Sequence, residues 1–326
     1  MARLRVAILY GGRSGEHEVS LVSAESVIAA MDRERYDVQR ILITKDGHWQ
    51  PRPISPEPDA NQDIDVVFPV LHGTFGEDGT VQGLLELACL PYVGAGVLAS
   101  SVSMDKEVQK RLCAERGLPV ANYVTVRRGQ FHPEEICTRL HFPMFVKPAN
   151  LGSSVGISKA KSCEELKAAL ELASQYDRKI IVERGIVGRE FECSVMGNDA
   201  PMAAVPCEIL PSREFYDYED KYVLNKAQTV VPADLTEQQT QEIQRLAVAG
   251  YQAVECEGMA RVDFLMEAAT GEFFINEINT VPGFTSISMF PKMWEAAGIP
   301  YPKLIDRLIE LALERHRDRQ ATRYTR

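Results

Sequence analysis

Two short stretches near the end of the chain carry the polar residues best suited to bind a divalent cation. They are Arg261-Val262-Asp263 and Glu277-Ile278-Asn279, and in each an apolar residue separates two polar ones. Successive side chains of a β-strand point to opposite faces, so the two polar residues of each stretch face the same way. Carboxylate and amide oxygens are ligands that Mg²⁺ accepts, and no thiol or imidazole nearby favours zinc. We therefore expect a magnesium site on two neighbouring strands, with the solvated faces of two amphipathic strands as the alternative.

Two loops rich in small residues could bind the phosphates of a nucleotide. Residues 279–288 leave the second of these strands, although an ordinary turn has a similar composition. Residues 149–156 follow Lys147-Pro148, where the proline disfavours helix at the lysine and favours a strand end. Backbone N–H groups of such loops can bind an anion. Neither loop is a Walker A motif, because G-x-x-x-x-G-K-[ST] occurs nowhere in the chain.

The second loop also matches the nucleophile elbow of α/β-hydrolases. Residues 152–156 have the pattern G-x-S-x-G. That fold requires a catalytic histidine later in the chain, and the only histidine beyond this loop is His316, close to the basic C-terminus. The sequence therefore disfavours a serine hydrolase.

Two loops near the N-terminus carry further candidate ligand-binding residues. Residues 11–20 contain Glu16 and lead into a predicted helix, whose free N–H groups and dipole attract an anion. The loop lacks a complete G-x-G-x-x-G, which disfavours a dinucleotide site. Residues 72–80 contain His72 and more glycines than a simple turn needs. Glu16 could instead be an ordinary acid of the first helical turn, and His72 a structural histidine.

The order of predicted elements indicates α/β and α+β architecture. Over residues 1–102, short apolar runs alternate with helical patterns, which is typical of a parallel sheet covered by helices. Residues 103–188 and 189–314 mix strands and helices in two smaller α+β units. Within the latter, residues 211–226 are polar, aromatic and aperiodic, as expected of a lid loop rather than a linker. Residues 315–326 contain five arginines, and we expect them to form a disordered basic tail.

The composition limits the partners and the location of the protein. The chain has 36 basic and 46 acidic residues, and the resulting charge of -10 disfavours binding to nucleic acid or to an anionic membrane surface. Charges interrupt every apolar run before the roughly 18 residues that a membrane span requires. We therefore expect a cytoplasmic protein without a signal peptide. The seven cysteines are scattered and form no C-x-x-C pair, so we expect them to be buried, reduced thiols.

Taken in chain order, these segments resemble the D-alanine:D-alanine ligase family of the ATP-grasp superfamily over residues 4–314. The stretches that carry the resemblance are GGRSGEHEVS, HGTFGEDGTVQG, SMDK, FVKPANLGSSVG, REFECSV, FYDYEDKY, ARVDF and NEINTVPGFTS. The resemblance implies a three-domain ATP-grasp architecture, with an N-terminal parallel-sheet domain and ATP bound between the other two domains. It also implies ATP-dependent ligation of two D-alanine molecules through an acyl phosphate, for peptidoglycan precursor synthesis.

The resemblance further implies roles for individual residues. Those expected to contact ATP are Lys106, Lys147, Glu183, Glu190 and Lys221. Those expected to bind two Mg²⁺ ions, or Mn²⁺, are Asp263, Glu277 and Asn279. The expected donors to the oxyanion are Arg261 and the Gly283 N–H. The expected substrate contacts are Glu16 and His72 for the first D-alanine and Ser288 for the second. A hydrogen-bonded trio expected to join the lid to the other domains comprises Glu16, Ser153 and Tyr222.

Two alternatives to this function stay open. Within the family, tyrosine at the position of Tyr222 accompanies amine nucleophiles, whereas ligases that join D-alanine to D-lactate have other residues there. From another class, a non-catalytic two-lobed protein could close on a small amino acid. One position departs from the family pattern, because Gly185 stands where some members have a tryptophan, and this affects how adenine would pack. Family members are often dimers, so the resemblance implies a homodimer.

Overall fold

The computed structural model describes residues 3–152, 155–210, 228–285 and 287–324. These residues form three β-sheets with helices packed on them. The predicted site residues and segment that lie outside the described residues are Ser153, Lys221, Tyr222 and the lid loop 211–226. One largely parallel sheet accompanies two antiparallel sheets, which confirms the expected α/β and α+β architecture.

The first sheet has the strand order β3-β2-β1-β4, and β1 pairs in parallel with both β2 and β4. Its strands are β1 (Leu4–Gly11), β2 (Tyr36–Ile43), β3 (Trp49–Gln50) and β4 (Val66–Pro69), accompanied by α1 (His17–Ala30), α2 (Thr80–Leu87) and a 3₁₀ turn (Pro58–Asn61). Both faces of β1 are buried, since Val6 and Ile8 lie in one core and Ala7 and Leu9 in another. This is why an uninterrupted apolar run forms a strand here.

The second sheet is antiparallel, with the order β5-β8-β6-β7. Its strands are β5 (Tyr123–Arg127), β6 (Met144–Pro148), β7 (Ser158–Ala160) and β8 (Lys179–Arg184), and its helices are α5 (Pro133–Arg139) and α6 (Cys163–Tyr176). The Ser162 hydroxyl caps α6 by accepting a hydrogen bond from the Glu165 N–H at 3.2 Å. Leu166 and Leu170, one turn apart on α6, pack on Val146 and Val182 of the sheet.

The third sheet is also antiparallel and places β13 between β9 and β14. Its strands are β9 (Gly188–Gly197), β10 (Met202–Ala203), β11 (Cys207–Leu210), β12 (Gln228–Val230), β13 (Gly258–Glu267) and β14 (Phe273–Asn279). Its helices are α7 (Glu237–Ala253), α8 (Met289–Ala296) and α9 (Tyr301–Gln320). Ile243 and Leu246 of α7 pack against Val262 and Ile275, which leaves the other face of the sheet available to polar side chains.

Helices α3 (Val97–Met104) and α4 (Lys106–Glu115) pack on the third sheet rather than on the second. Ala99 and Cys113 belong to the same core as Val262. The Asp105 carboxylate caps α4 by accepting from the Val108 N–H at 3.1 Å. Gln109 Oε1 accepts from the Ile278 N–H at 3.2 Å, so α4 is docked along β14 and begins beside the end of that strand.

The prediction of a disordered basic tail from residue 315 is wrong, because α9 continues to Gln320. Arg315 is buried, donates to the Tyr92 carbonyl at 2.7 Å and also to the Gly94 carbonyl, and stacks on the Tyr92 ring. One turn later, Arg319 contacts Glu86 and lies 3.1 Å from Glu257. Arginines four residues apart share one helix face, and here that face is packed rather than solvated.

The expectation of reduced, buried cysteines is correct for only part of the chain. Cys137 of α5 and Cys163 of α6 form a disulfide, with their Cα atoms 6.6 Å apart. The two helices pack together, so residues 26 positions apart in sequence come within disulfide reach. Cys89 is free but exposed. The cysteines that are free and buried, as predicted, are Cys113, Cys193, Cys207 and Cys256.

We predict that Arg315→Met lowers the free energy of unfolding by about 2–3 kcal/mol, because two buried carbonyls lose a charged donor. Urea denaturation measures the change. Arg317→Met is the matched control, since Arg317 is exposed on the same helix and should change stability by less than about 0.5 kcal/mol. Equal effects of the two substitutions would contradict the packed role of Arg315.

Candidate functional site

The polar face of the third sheet gathers charged and neutral polar side chains in two adjacent cross-strand rows. These rows are Glu192–Asp263–Glu277 and Ser194–Arg261–Asn279, each running across β9, β13 and β14. On the opposite face, Val262 and Ile278 are buried in the apolar core. The structure therefore brings together the four residues expected from the two short stretches. This face is not freely solvated at its centre, because Asp263 is only 7% exposed.

Arg261 and Asp263 form a two-pronged ion pair within this face. The Nε and Nη2 atoms of Arg261 each donate to one carboxylate oxygen of Asp263 at 2.6 Å. The Arg261 Nε also lies 3.3 Å from Glu192 Oε1 on the neighbouring strand. Burial alone lowers the pKa of Arg261, but Asp263 and Glu192 outweigh burial and raise that pKa well above its ordinary value. The guanidinium is thus a fixed positive charge at the centre of the face.

The oxygen atoms of Asp263, Glu277 and Asn279 fit a Mg²⁺ ion bound together with a phosphate-bearing ligand. Asp263 and Glu277 are directly paired across β13 and β14, so their carboxylates share one position along the sheet. Asn279 Oδ1 accepts from the Val281 N–H at 3.0 Å and keeps a second lone pair. Within the described ranges, no group of three His, Cys, Asp or Glu side chains forms a metal cage. Mg²⁺ typically binds through one or two carboxylates and substrate phosphates, so this donor set suits it.

Lys106, the first residue of α4, connects this face to the loop after β6. Its Nζ donates to the Leu151 carbonyl at 2.8 Å and lies 3.2 Å from Glu277 Oε1. The side chain is buried. A predicted phosphate-binding cation therefore contacts a predicted metal ligand directly.

Lys147 and Glu183, two of the predicted ATP contacts, form a buried cluster with Lys110. Lys110 was not identified as a site residue from the sequence. The Lys147 Nζ lies 2.9 Å from Glu183 Oε2 and 3.1 Å from Asn276 Oδ1. The Lys110 Nζ lies 3.4 Å from Glu183 Oε1. Burial raises the pKa of Glu183, but the two lysines outweigh burial and lower it below its ordinary value. Lys110 follows Lys106 by four residues, so helical spacing of the two lysines was the signal that could have identified it.

A β-bulge in β14 explains how Asn276 reaches Lys147. Asp263 pairs with Glu277 but the next residue, Phe264, pairs with Ile275, so Asn276 is the extra residue. A bulge changes the direction of the side chain at the extra residue. The polar side chain of Asn276 is thereby added to the cluster around Lys147. Glu190 lies on β9 two residues before Glu192, and is therefore on the same face of the sheet.

Glu16 and His72 lie where the first sheet meets the other two. A Cβ atom on Gly73 would lie 2.6 Å from Glu16 Oε2, and one on Gly152 would lie 3.4 Å from it. The Glu16 carboxylate is thus close to both the 72–76 loop and the loop after β6. His72 is buried, with Nε2 at 3.0 Å from the Ser23 hydroxyl and Nδ1 at 3.2 Å from the Val281 carbonyl. His72 therefore connects α1 to the segment after β14.

Gly283 and Ser288 are adjacent in the loop that follows β14. A Cβ atom on Gly283 would lie 2.7 Å from Ser288 Oγ, so only glycine allows this approach without a shift. Ser288 Oγ accepts from the Thr285 N–H at 3.0 Å and lies 2.8 Å from the Thr285 hydroxyl. The hydroxyl is therefore held in place beside the Gly283 backbone.

Comparison with known proteins identifies the same family over both halves of the chain. The family model described as D-ala D-ala ligase C-terminus matches residues 112–310. The model described as D-ala D-ala ligase N-terminus matches residues 5–61 and 50–95.

Relatives of known name cover the full length of the chain. The D-alanine--D-alanine ligase of Solibacter usitatus (strain Ellin6076) is 68% identical over 324 residues, covering 99% of this chain and all of the relative. The enzyme of the same name from Caldicellulosiruptor bescii is 46% identical, and each chain is covered completely.

Solved structures of two ligases are similar to this chain over nearly its full length. The D-alanine-D-alanine ligase from Coxiella burnetii has a TM-score of 0.88 and 38% identity, covering 98% of this chain and 97% of that one. The VanG D-Ala:D-Ser ligase from Enterococcus faecalis has a TM-score of 0.86 and 36% identity, covering 95% and 100%.

We predict that Glu77→Gln lowers the pKa of His72. Burial by itself lowers this pKa, but the carboxylates of Glu77 and Glu16 outweigh burial and raise it above the ordinary value of about 6.5. The stabilisation from the protonated ring is therefore complete below pH about 6.5 and is lost as pH rises through the folded-state pKa. An NMR titration of the ring measures the shift. Glu25→Gln, at an exposed acid of α1, is the control, and an unchanged pKa in Glu77→Gln would contradict the assignment.

Proposed function

The chain belongs to the D-alanine–D-alanine ligase family, and from this premise we propose that it joins two D-alanine molecules into D-alanyl-D-alanine with ATP, releasing ADP and phosphate. The product serves peptidoglycan precursor synthesis. The observation that carries the proposal is the 3.2 Å contact between the Lys106 Nζ and Glu277 Oε1. It supports a single site in which a phosphate-binding cation and a metal-binding carboxylate act on the same ligand.

Activation by ATP is required because a carboxylate is a poor electrophile. The γ-phosphoryl group of ATP is transferred to a carboxylate oxygen of the first D-alanine, which gives an acyl phosphate and ADP. The amine of the second D-alanine then attacks the carbonyl carbon, the C–O bond to phosphate breaks, and the amine loses a proton. Positioning and charge neutralisation supply most of the catalysis in such phosphoryl transfers.

Five charged residues hold ATP in this proposal. Lys106 and Lys147 bind its phosphates, and Lys221 reaches the transferred phosphoryl group. Glu183 and Glu190 hold the adenine amine and the ribose hydroxyls. Glu183 and Asn276 hold the Lys147 side chain in place, so it is already ordered for binding to phosphate.

Asp263, Glu277 and Asn279 would hold two Mg²⁺ ions, or Mn²⁺, and the ions would supply positive charge that neutralises the phosphates. Arg261 and the Gly283 N–H donate to the oxyanion of the tetrahedral intermediate. The fixed positive charge of Arg261 is present before the reaction starts, which is the arrangement that lowers reorganisation cost.

The amino acid subsites lie at the junction with the first sheet. Glu16 and His72 contact the first D-alanine, and Ser288 binds the carboxylate of the second. Ser153 and Tyr222 complete the trio with Glu16 that closes the lid and excludes water from the acyl phosphate.

D-alanine is favoured over D-lactate as the second substrate, because the 68% identical relative is named a D-alanine--D-alanine ligase. The relatives are named as enzymes, so a non-catalytic binding protein is not retained.

In this proposal the protein is a homodimer in the cytoplasm, and its other partners are small-molecule substrates. The charge of -10 argues against a nucleic-acid partner. No helix in the described part of the chain has the length and apolar character needed to cross a membrane.

Product analysis tests the function directly. The protein is mixed with ATP, Mg²⁺, D-alanine and D-lactate near neutral pH, and products are identified by mass spectrometry. We expect D-alanyl-D-alanine and stoichiometric ADP. A dominant D-alanyl-D-lactate ester would reject the substrate assignment, and absence of ADP and of any product from folded protein would reject the ligase.

We predict that Asp263→Asn and Glu277→Gln each reduce kcat by about 100-fold or more while the protein stays folded, because both weaken charge neutralisation on the phosphates. Steady-state kinetics and circular dichroism measure the two properties. Glu272→Gln, at an exposed acid just before β14, should leave kcat unchanged. Wild-type turnover in either site variant would remove that residue from the metal assignment.

A further inference from the structure

Glu192 is a buried acid on the polar face of the third sheet, and it has no role in the function described above. It lies on β9 directly opposite Asp263, while Glu277 lies opposite Asp263 on the other neighbouring strand. Its side chain is 8% exposed, and Glu192 Oε1 is 3.3 Å from the Arg261 Nε. Glu192 and Glu277 thus flank Asp263 from opposite sides.

Arg261 has two anionic partners, Asp263 and Glu192, and only Asp263 is also a proposed metal ligand. Asp263 accepts both prongs of the guanidinium at 2.6 Å, and the same carboxylate is the proposed ligand of a divalent cation. A divalent cation bound to Asp263 would repel the guanidinium and would compete with it for the carboxylate oxygens of Asp263. Glu192 is on the strand remote from Glu277, so it offers the guanidinium an anion outside the proposed ligand set.

We propose that Glu192 is a positioning residue that holds Arg261 in place when Asp263 binds metal. This inference rests on the proposed function. Glu192 acts through two effects on Arg261. It keeps the guanidinium aligned for the oxyanion, and it weakens the pairing of the guanidinium with Asp263, which leaves the Asp263 oxygens more available to metal. Loss of Glu192 should therefore lower turnover and also weaken metal binding.

The chain offers a matched control for the loss of a buried acid paired with arginine. Glu208 on β11 accepts both prongs of Arg189 at 2.6 and 2.7 Å, and its side chain is 7% exposed. Glu208 pairs across the sheet with Phe191, a core residue, so it lies on the face opposite to Glu192. Glu208→Gln removes a similar charge from the same sheet without touching the site.

The first experiment measures steady-state kinetics of Glu192→Gln and Glu208→Gln. At saturating Mg²⁺, we expect kcat of Glu192→Gln to fall by on the order of tenfold, less than the loss of a whole oxyanion donor, with KM for ATP and D-alanine changed less than about twofold. Glu208→Gln should retain wild-type kcat. A kcat of Glu192→Gln within about twofold of wild type, or an equal loss in Glu208→Gln, overturns the proposal.

A double-mutant cycle tests whether Glu192 acts through Arg261. Arg261→Lys keeps the positive charge and loses the two-pronged geometry, so it should fold. In this background Glu192→Gln should reduce kcat by less than about twofold. An equal reduction in both backgrounds overturns the proposal, because Glu192 would then act independently of the guanidinium.

Metal binding gives a readout that needs no turnover. Electron paramagnetic resonance measures Mn²⁺ binding to wild type, Glu192→Gln and Glu208→Gln in the presence of ADP. We expect a dissociation constant raised about threefold or more in Glu192→Gln only. Unchanged Mn²⁺ binding in Glu192→Gln overturns the proposal. Wild-type protein that binds Mn²⁺ and ADP but forms no dipeptide would instead reject the proposed function.

Discussion

The candidate site depends on the register between β9, β13 and β14. Side chains alternate between the faces of a strand, so a slip of one residue would move the Asp263 carboxylate into the apolar core and turn Val262 toward the polar face. The apolar face prevents such a slip, because each fully buried Val or Ile contributes about 1.5–3 kcal/mol that a shifted strand would lose. The core on one face of the sheet therefore fixes the position of every charge on the other.

Charges in the site are compensated by other charges of the protein itself. Lys106 contacts Glu277, Lys147 contacts Glu183, and Arg261 is paired with Asp263. A buried ion left without its partner is strongly unfavourable, so these pairs allow many charges to be buried together. In the proposed function, the same pairs also hold these side chains close to the positions in which they would meet phosphate oxygens.

The sequence predicts well those features that arise from short periodic patterns. The alternation in Arg261-Val262-Asp263 and Glu277-Ile278-Asn279 places the two stretches on one face, as the structure has them. Glu192 follows the same alternation after Glu190, and Lys110 follows Lys106 by one helical turn, so both could have been identified by applying the same rules more widely.

Other features depend on contacts between distant segments, which no local pattern encodes. The bulge at Asn276 arises from pairing with β13. The helical C-terminus depends on carbonyls of Tyr92 and Gly94, more than 200 residues away, and arginine-rich composition alone indicates a solvated tail. The disulfide between Cys137 and Cys163 likewise follows from the packing of α5 on α6.

The position of α9 also bears on how the chain folds during synthesis. Leu304 and Leu308 of this last helix lie in the same core as Val6 and Ile8 of the first strand. Domains usually fold in order as they leave the ribosome. Helix α1 covers part of this face through Val27 and Ile28, and α9 covers the rest, so this core is complete only after α9 has been synthesised. The first-made segment of this chain therefore reaches its full packing only with one of the last-made segments.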